Sequence, residues 1–189
     1  MQNRKSIFHI LIVVMGLLAI ARFIRTQIPS PDTKSTDGGE SVPARVGPSD
    51  IYPDLARTPG AINPEITQEN IRETICNPRW STKSIRPEAS YTNRLKTEQI
   101  GEYGYADSHL RDYEEDHFIP LELGGNPTDP KNLWPEPFET SVPDGGAHAK
   151  DKVENYLHAE VCSGSLTLDQ AQHEITEDWY RVYQASVPH

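Results

Sequence analysis

The stretch DYEEDHFIPLELGGNPTDPKNLWPEP, residues 112–137, constrains this chain more than any other. It crowds Asp112, Glu114, Glu115 and Asp116 ahead of His117 and then turns apolar. Neighbouring like charges repel, so the crowding costs stability unless a cation or a chemical task offsets it. Gly124-Gly125 and the Pro-Thr-Asp-Pro run that follows predict two short strands joined by a loop. A helix is expected next, because AHAKDKVENYLHAEVCSG sets Ala149, Val153, Leu157 and Val161 on one stripe ahead of Gly164.

The chemistry of the stretch centres on His117, since an imidazole titrating near neutrality is a natural general base. Asp116 offers a hard oxygen of the kind Mg²⁺ or Ca²⁺ prefers. Asn132 can hydrogen-bond a backbone group or an imidazole and so fix it. Successive strand residues point to opposite faces, so Asp116 and His117 can serve one site only at a strand end or bulge.

DHFIPLELGG, six further residues, and NLW ahead of a helix resemble the HNH endonucleases, the ββα-metal nucleases. The resemblance covers a core of about residues 113–158. It implies an α+β fold with a small ββα-metal core, flanked by helices and mostly helical outside the hairpin. It further implies that His117 activates a water against a phosphodiester, that Asn132 holds His117, and that Asp116 shares one divalent ion with a helix residue. Mg²⁺ is the first expectation for that ion, with Mn²⁺, Ca²⁺ or Zn²⁺ as alternatives. The third family position departs from the pattern. His148 is its nearest match, with Lys150 as the basic residue that assists catalysis and Lys152 behind it. On a helical wheel His148 falls opposite the Val153/Leu157/Val161 stripe, whereas Lys150, Asp151, Glu154 and His158 flank that stripe. His148 and Asp151 therefore remain alternative second ligands, followed by Glu154. Lys150 and Glu154 also have the i,i+4 spacing of an ordinary solvated pair.

The remaining sequence sets the context. NRKSIFHILIVVMGLLAIARFIR has the basic start, apolar run and small-x-small close of a signal peptide. Its apolar character continues past Arg22, so residues 1–25 read equally as a retained membrane anchor. Export is expected either way, to a secreted, periplasmic or membrane-tethered location. Residues 26–63, rich in Pro, Ser, Thr and Gly, read as a disordered linker, and the folded domain as residues 64–189. Within it, ITQENIRETIC predicts a helix stopped by Asn77-Pro78, NPRWSTKSIRP an extended segment, and SYTNRLKTEQIG a helix ending at Gly101. Thr167 and Gln170 form a capping-box pattern ahead of a last helix that buries Leu168, Ala171, Ile175 and Trp179. The two cysteines, Cys76 and Cys162, match no CxxC motif and read as one disulfide in an oxidising compartment.

A net charge of −10 argues against general affinity for phosphate backbones. The cations are nonetheless concentrated: Arg79, Lys83, Arg86, Arg94 and Lys96 lie close together with Trp80, which offers a stacking surface. Together these features predict a metal-dependent endonuclease acting on DNA or RNA without sequence specificity. An inactive ββα module that binds metal, nucleic acid or a protein partner is the alternative, and a cell-envelope hydrolase using the same His and metal stands behind both.

Overall fold

The computed structural model describes residues 50–187. The expected signal peptide or anchor over residues 1–25 lies outside them, as does the expected linker from 26 to 49. Among the described residues no helix is long and apolar enough to cross a membrane.

The described residues form an α+β fold of three α-helices and one antiparallel hairpin: α1 (Ala89–Tyr103), β1 (Tyr113–His117), β2 (Leu133–Pro137), α2 (Ala147–Ser163) and α3 (Leu168–Ser186). The strands pair with Tyr113 opposite Pro137, Asp116 opposite Trp134 and His117 opposite Leu133. Phe118 N donates to Asn132 O at 2.8 Å and Phe138 N to Asp112 O at 3.0 Å, so the even-numbered positions carry the ladder bonds. Pro135 and Pro137 fall on the odd positions of β2, where an amide would point away from β1, and no ladder bond is lost.

The core lies between α2 and α3. Val153, Leu157 and Val161 meet Leu168, Ala171, Ile175 and Trp179, all of them buried. Full burial of a side chain of this kind contributes roughly 1.5–3 kcal/mol. The capping box forms as expected, with Gln170 N donating to Thr167 Oγ1 and Thr167 N to Gln170 Oε1. Gly164, in the left-handed conformation, closes α2. Cys76 and Cys162 form the disulfide, across a sequence separation of 86 residues. Closing so long a loop stabilises the chain by roughly 2–4 kcal/mol.

The structure corrects four expectations. Residues 50–63, taken as linker, are packed into the fold: Ile51 is buried, Trp179 Nε1 donates to its carbonyl at 2.9 Å, and Ile62 bridges to Gly125. Their prolines and glycine lie in irregular chain that packs on the core, and such chain carries the same composition as disorder. The helix expected around Ile66, Ile71 and Ile75 is a run of turns, although all three isoleucines are buried. Asn70 is the cause. Its side chain accepts from Thr67 N and donates to Glu65 O, so it competes for the backbone groups a helix needs. The segment expected to be extended contains a 3-10 turn at Thr82–Ser84. Finally, α1 passes through Gly101 and stops at Gly104, whose φ of 71° suits the C-cap.

The loop between the strands reverses through Gly124, with φ 77°, and then presses Gly125 against its own start. A Cβ on Gly125 would lie 1.7 Å from Ile119 O. Gly125→Ala should therefore lower the thermal midpoint by more than ~5 °C, measured by circular dichroism. An unchanged midpoint would show that the loop is not packed this closely.

Candidate active site

β1 alternates cleanly, so Tyr113, Glu115 and His117 share one face of the hairpin and Glu114 and Asp116 the other. Asp116 and His117 thus point apart, as a regular strand requires. His117 ends its strand, however, and its backbone carbonyl turns into the same cluster that holds Asp116.

Lys150 binds that cluster together. Its ammonium donates to Asp116 Oδ2 at 2.5 Å, to His117 O at 3.0 Å and to a Glu154 carboxyl oxygen one turn along α2. Lys150 is fully buried, which opposes its charge, yet Asp116, Glu154 and Glu136 outweigh the burial and hold its pKa well above the usual range. It is therefore an ammonium ion at any physiological pH, and the solvated i,i+4 pair that the spacing allows is not formed. Burial likewise opposes ionisation of Asp116, but the Lys150 ammonium keeps that carboxyl below its ordinary range. Glu136 is buried and stands on the Asp116 face, opposite Glu114 across the hairpin. Burial pushes its pKa well up, and so it does for Glu154, to about 8. One ammonium cannot neutralise the buried Glu136 together with the part-buried Asp116 and Glu154. The remaining charge is relieved by protons, or would be relieved by a further cation.

His117 is itself 4% exposed, and its Nε2 lies 3.0 Å from Pro127 O. A carbonyl can only accept, so Nε2 carries the proton and Nδ1 is the basic nitrogen. Burial lowers the His117 pKa, with Asp116 and the Pro127 carbonyl acting in the opposite direction. The imidazole is consequently neutral at pH 7.

Asn132 does not touch the imidazole. Its Oδ1 accepts from Ile119 N at 2.9 Å, and its Nδ2 donates to Ile119 O at 2.9 Å and to Asn126 O at 3.0 Å. It closes the interstrand loop on itself, and the next residue in that loop is Pro127. Its hold on His117 is therefore indirect. Ala61 N also donates to Asn132 Oδ1 at 3.3 Å, so the segment first read as linker braces the same loop.

The other expected site residues divide. His148 is exposed, its ring tilted against Phe138 with centroids 5.1 Å apart, and it lies 3.8 Å from Asp151 Oδ2. Asp151 is exposed at the edge of the Lys150 cluster, and its pKa is raised by partial desolvation and then by Asp116. Arg86 and Lys96 line a cavity of about 470 Å³ with Glu114, Glu115, His117, Arg111 and Phe138. Trp80 lines a second cavity, of about 380 Å³, with Glu122, His158 and the disulfide. Arg79, Lys83 and Arg94 line neither and are exposed. The sequence reading missed Glu136 and the burial of Glu115. A charged residue inside the otherwise apolar LWPEP strand was the available signal for Glu136.

The oxygens of Asp116, Glu136, Glu154 and Asp151 are the hard donor set that Mg²⁺ or Ca²⁺ takes. Among the described residues, the triads whose donor atoms converge within 4.8 Å are Cys76/His158/Cys162, spent on the disulfide, and Asp107/His109/Asp112. The second contains exposed His109 and Asp112, and Asp107 and Asp112 line a separate cavity of about 480 Å³ with Arg111 and Glu139. Around Asp116 the converging group is the Lys150 ammonium. No protein-family model, curated protein or solved structure matches the chain.

Glu115 yields a pH test. Burial, followed by the neighbouring Asp116, pushes its carboxyl up to about 8 from 4.5. A raised folded-state pKa stabilises fully below about 4.5, and that contribution is lost as the pH climbs through about 8. The thermal midpoint of metal-free protein should fall between about pH 5 and pH 8, and Glu115→Gln should make the fall shallower. Identical slopes for the two proteins in calorimetry would contradict the assignment.

Proposed function

We propose that this chain is a metal-dependent endonuclease of the HNH type, hydrolysing phosphodiester bonds with His117 as general base. The observation that carries the proposal is the state of His117: buried, oriented by Pro127 O through Nε2, neutral at pH 7, and lining an open cavity beside Arg86. The order strand, strand, helix, with His117 on the first strand and Lys150 and Asp151 on the helix, supports this reading.

In this reading His117 Nδ1 takes a proton from the attacking water, and the nearby Asp116 carboxylate steadies the imidazolium that forms. Arg86 is close enough to weaken protonation of His117 and meets the anionic phosphate at the same opening. Lys150 holds Asp116 and the His117 carbonyl in fixed relation. Asp116, with Asp151 or His148, would hold one divalent ion, Mg²⁺ first, once the Lys150 ammonium gave way and the donor atoms drew together. Such an ion supplies Lewis-acid stabilisation of the leaving oxygen when bound. DNA and RNA are both within the proposal, as is export or tethering through residues 1–25.

A second reading has one observation in its favour. Lys150 already occupies Asp116, so the cluster could be a closed structural unit in an inactive module that binds a partner.

Plasmid and RNA cleavage with Mg²⁺, Mn²⁺, Ca²⁺ or Zn²⁺ separates the two. Wild type should cleave, and His117→Ala should lose ~10²–10⁴-fold in rate while keeping its melting transition and metal affinity. Because burial depresses the His117 pKa below 6.5, the rate should rise with pH to half-maximum below that value and be flat above pH 7. Absence of cleavage with every ion would leave the inactive module. A rate still rising through pH 8 would assign the base elsewhere.

A further inference from the structure

Every acceptor around the Lys150 ammonium is an oxygen. Asp116 Oδ2 at 2.5 Å, His117 O at 3.0 Å and a Glu154 carboxyl oxygen take the three protons it can donate. Two carboxyls and a backbone carbonyl are also the donors that a hard divalent cation selects. A lysine side chain thus occupies the point on which the oxygens of a cation site converge. Asp116 is the ligand that the metal-dependent reading needs, and its Oδ2 is already committed to Lys150.

The two cations exclude each other. A divalent ion bound through Asp116 would stand beside the ammonium, and like charges so close repel strongly where water is scarce. Charge balance favours the exchange, because the ammonium brings one positive charge to Asp116, Glu154 and Glu136 where a divalent ion brings two. The three hydrogen bonds of Lys150 oppose it. Access favours it again. The side chains of Asp116 and Glu154 keep 14% and 15% of their surface exposed, so an ion from solvent reaches their edges, whereas that of Lys150 is 1% exposed. The flexible four-carbon stem of Lys150 can carry a displaced ammonium out to water.

We propose that Lys150 is a built-in competitor for the divalent ion: its ammonium keeps the site latent, and metal binding expels it from the oxygens of Asp116, Glu154 and His117. The proposal rests on the metal-dependent reading of this site, but its tests do not require cleavage. Metal-free, full-length protein is titrated calorimetrically with Mn²⁺ at pH 7. Lys150→Ala should bind at least ~10-fold more tightly than wild type, because apparent affinity falls with the fraction of molecules in which the site is open. If that substitution prevents folding, the wild type alone decides. In EDTA, Lys150 should resist a short pulse of acetic anhydride, and in saturating Mn²⁺ it should be acetylated. Peptide mass spectrometry reads the label, with exposed Lys152, labelled in both conditions, as the reference. Three results would each overturn the proposal: equal or weaker Mn²⁺ affinity in folded Lys150→Ala, a wild-type Lys150 still protected at saturating Mn²⁺, or no Mn²⁺ binding by either protein. The two readings fail separately. Expulsion of Lys150 by Mn²⁺ without nicking leaves the latch and removes the nuclease, while nicking by a wild type whose Lys150 stays protected does the reverse.

Discussion

The buried Lys150 ammonium is the interaction on which the rest of the site depends. It reaches from α2 to both the side chain of Asp116 and the carbonyl of His117, so one group fixes the position of the helix against the end of β1. Breaking a buried pair by removing one partner is strongly destabilising, because the charge left behind has neither water nor a counter-ion. Asp116, Glu154 and Glu136 together exceed what one lysine neutralises, and Glu114 sets a further carboxyl directly opposite Glu136 across the hairpin. A fold selected for stability alone would not concentrate carboxyls in this way. The proposed cation site would give that concentration a purpose.

The hairpin is held in register by a second, separate device. Asn132 bonds Ile119 and Asn126 across the interstrand loop, and residues 60–63 lie along the same loop, with Gly60 N donating to Lys131 O and Asn63 N to Gly124 O. The loop so fixed presents Pro127 O to His117 Nε2 and thereby decides which imidazole nitrogen is basic. Asn132 thus bears on His117 only indirectly, through backbone geometry.

Much of this was legible locally. The capping box at Thr167 and Gln170, the glycine end of α2, the hairpin signals and the cysteine pair each depend on a few adjacent residues or on simple parity, and all appear in the structure. The pairing of Lys150 with Asp116 was not legible, since residues 34 apart in sequence give no spacing signal. Burial of Glu115 was missed for the same reason: the helix that covers it, α1, lies outside the motif. The segment around Asn70 misled in the opposite direction, because apolar spacing suggested a helix while one side chain satisfied the backbone as turns. Residues 50–63 show that Pro- and Gly-rich composition cannot by itself separate a tether from chain that turns against a core.

Equilibrium urea unfolding of Lys150→Met against wild type, metal-free at pH 7, tests the central claim most directly. Methionine keeps most of the volume and removes the charge, leaving Asp116 and Glu154 buried together without a cation. The account predicts a loss of ~3–5 kcal/mol. A loss below ~1 kcal/mol would contradict it and show that the carboxyl cluster does not depend on Lys150.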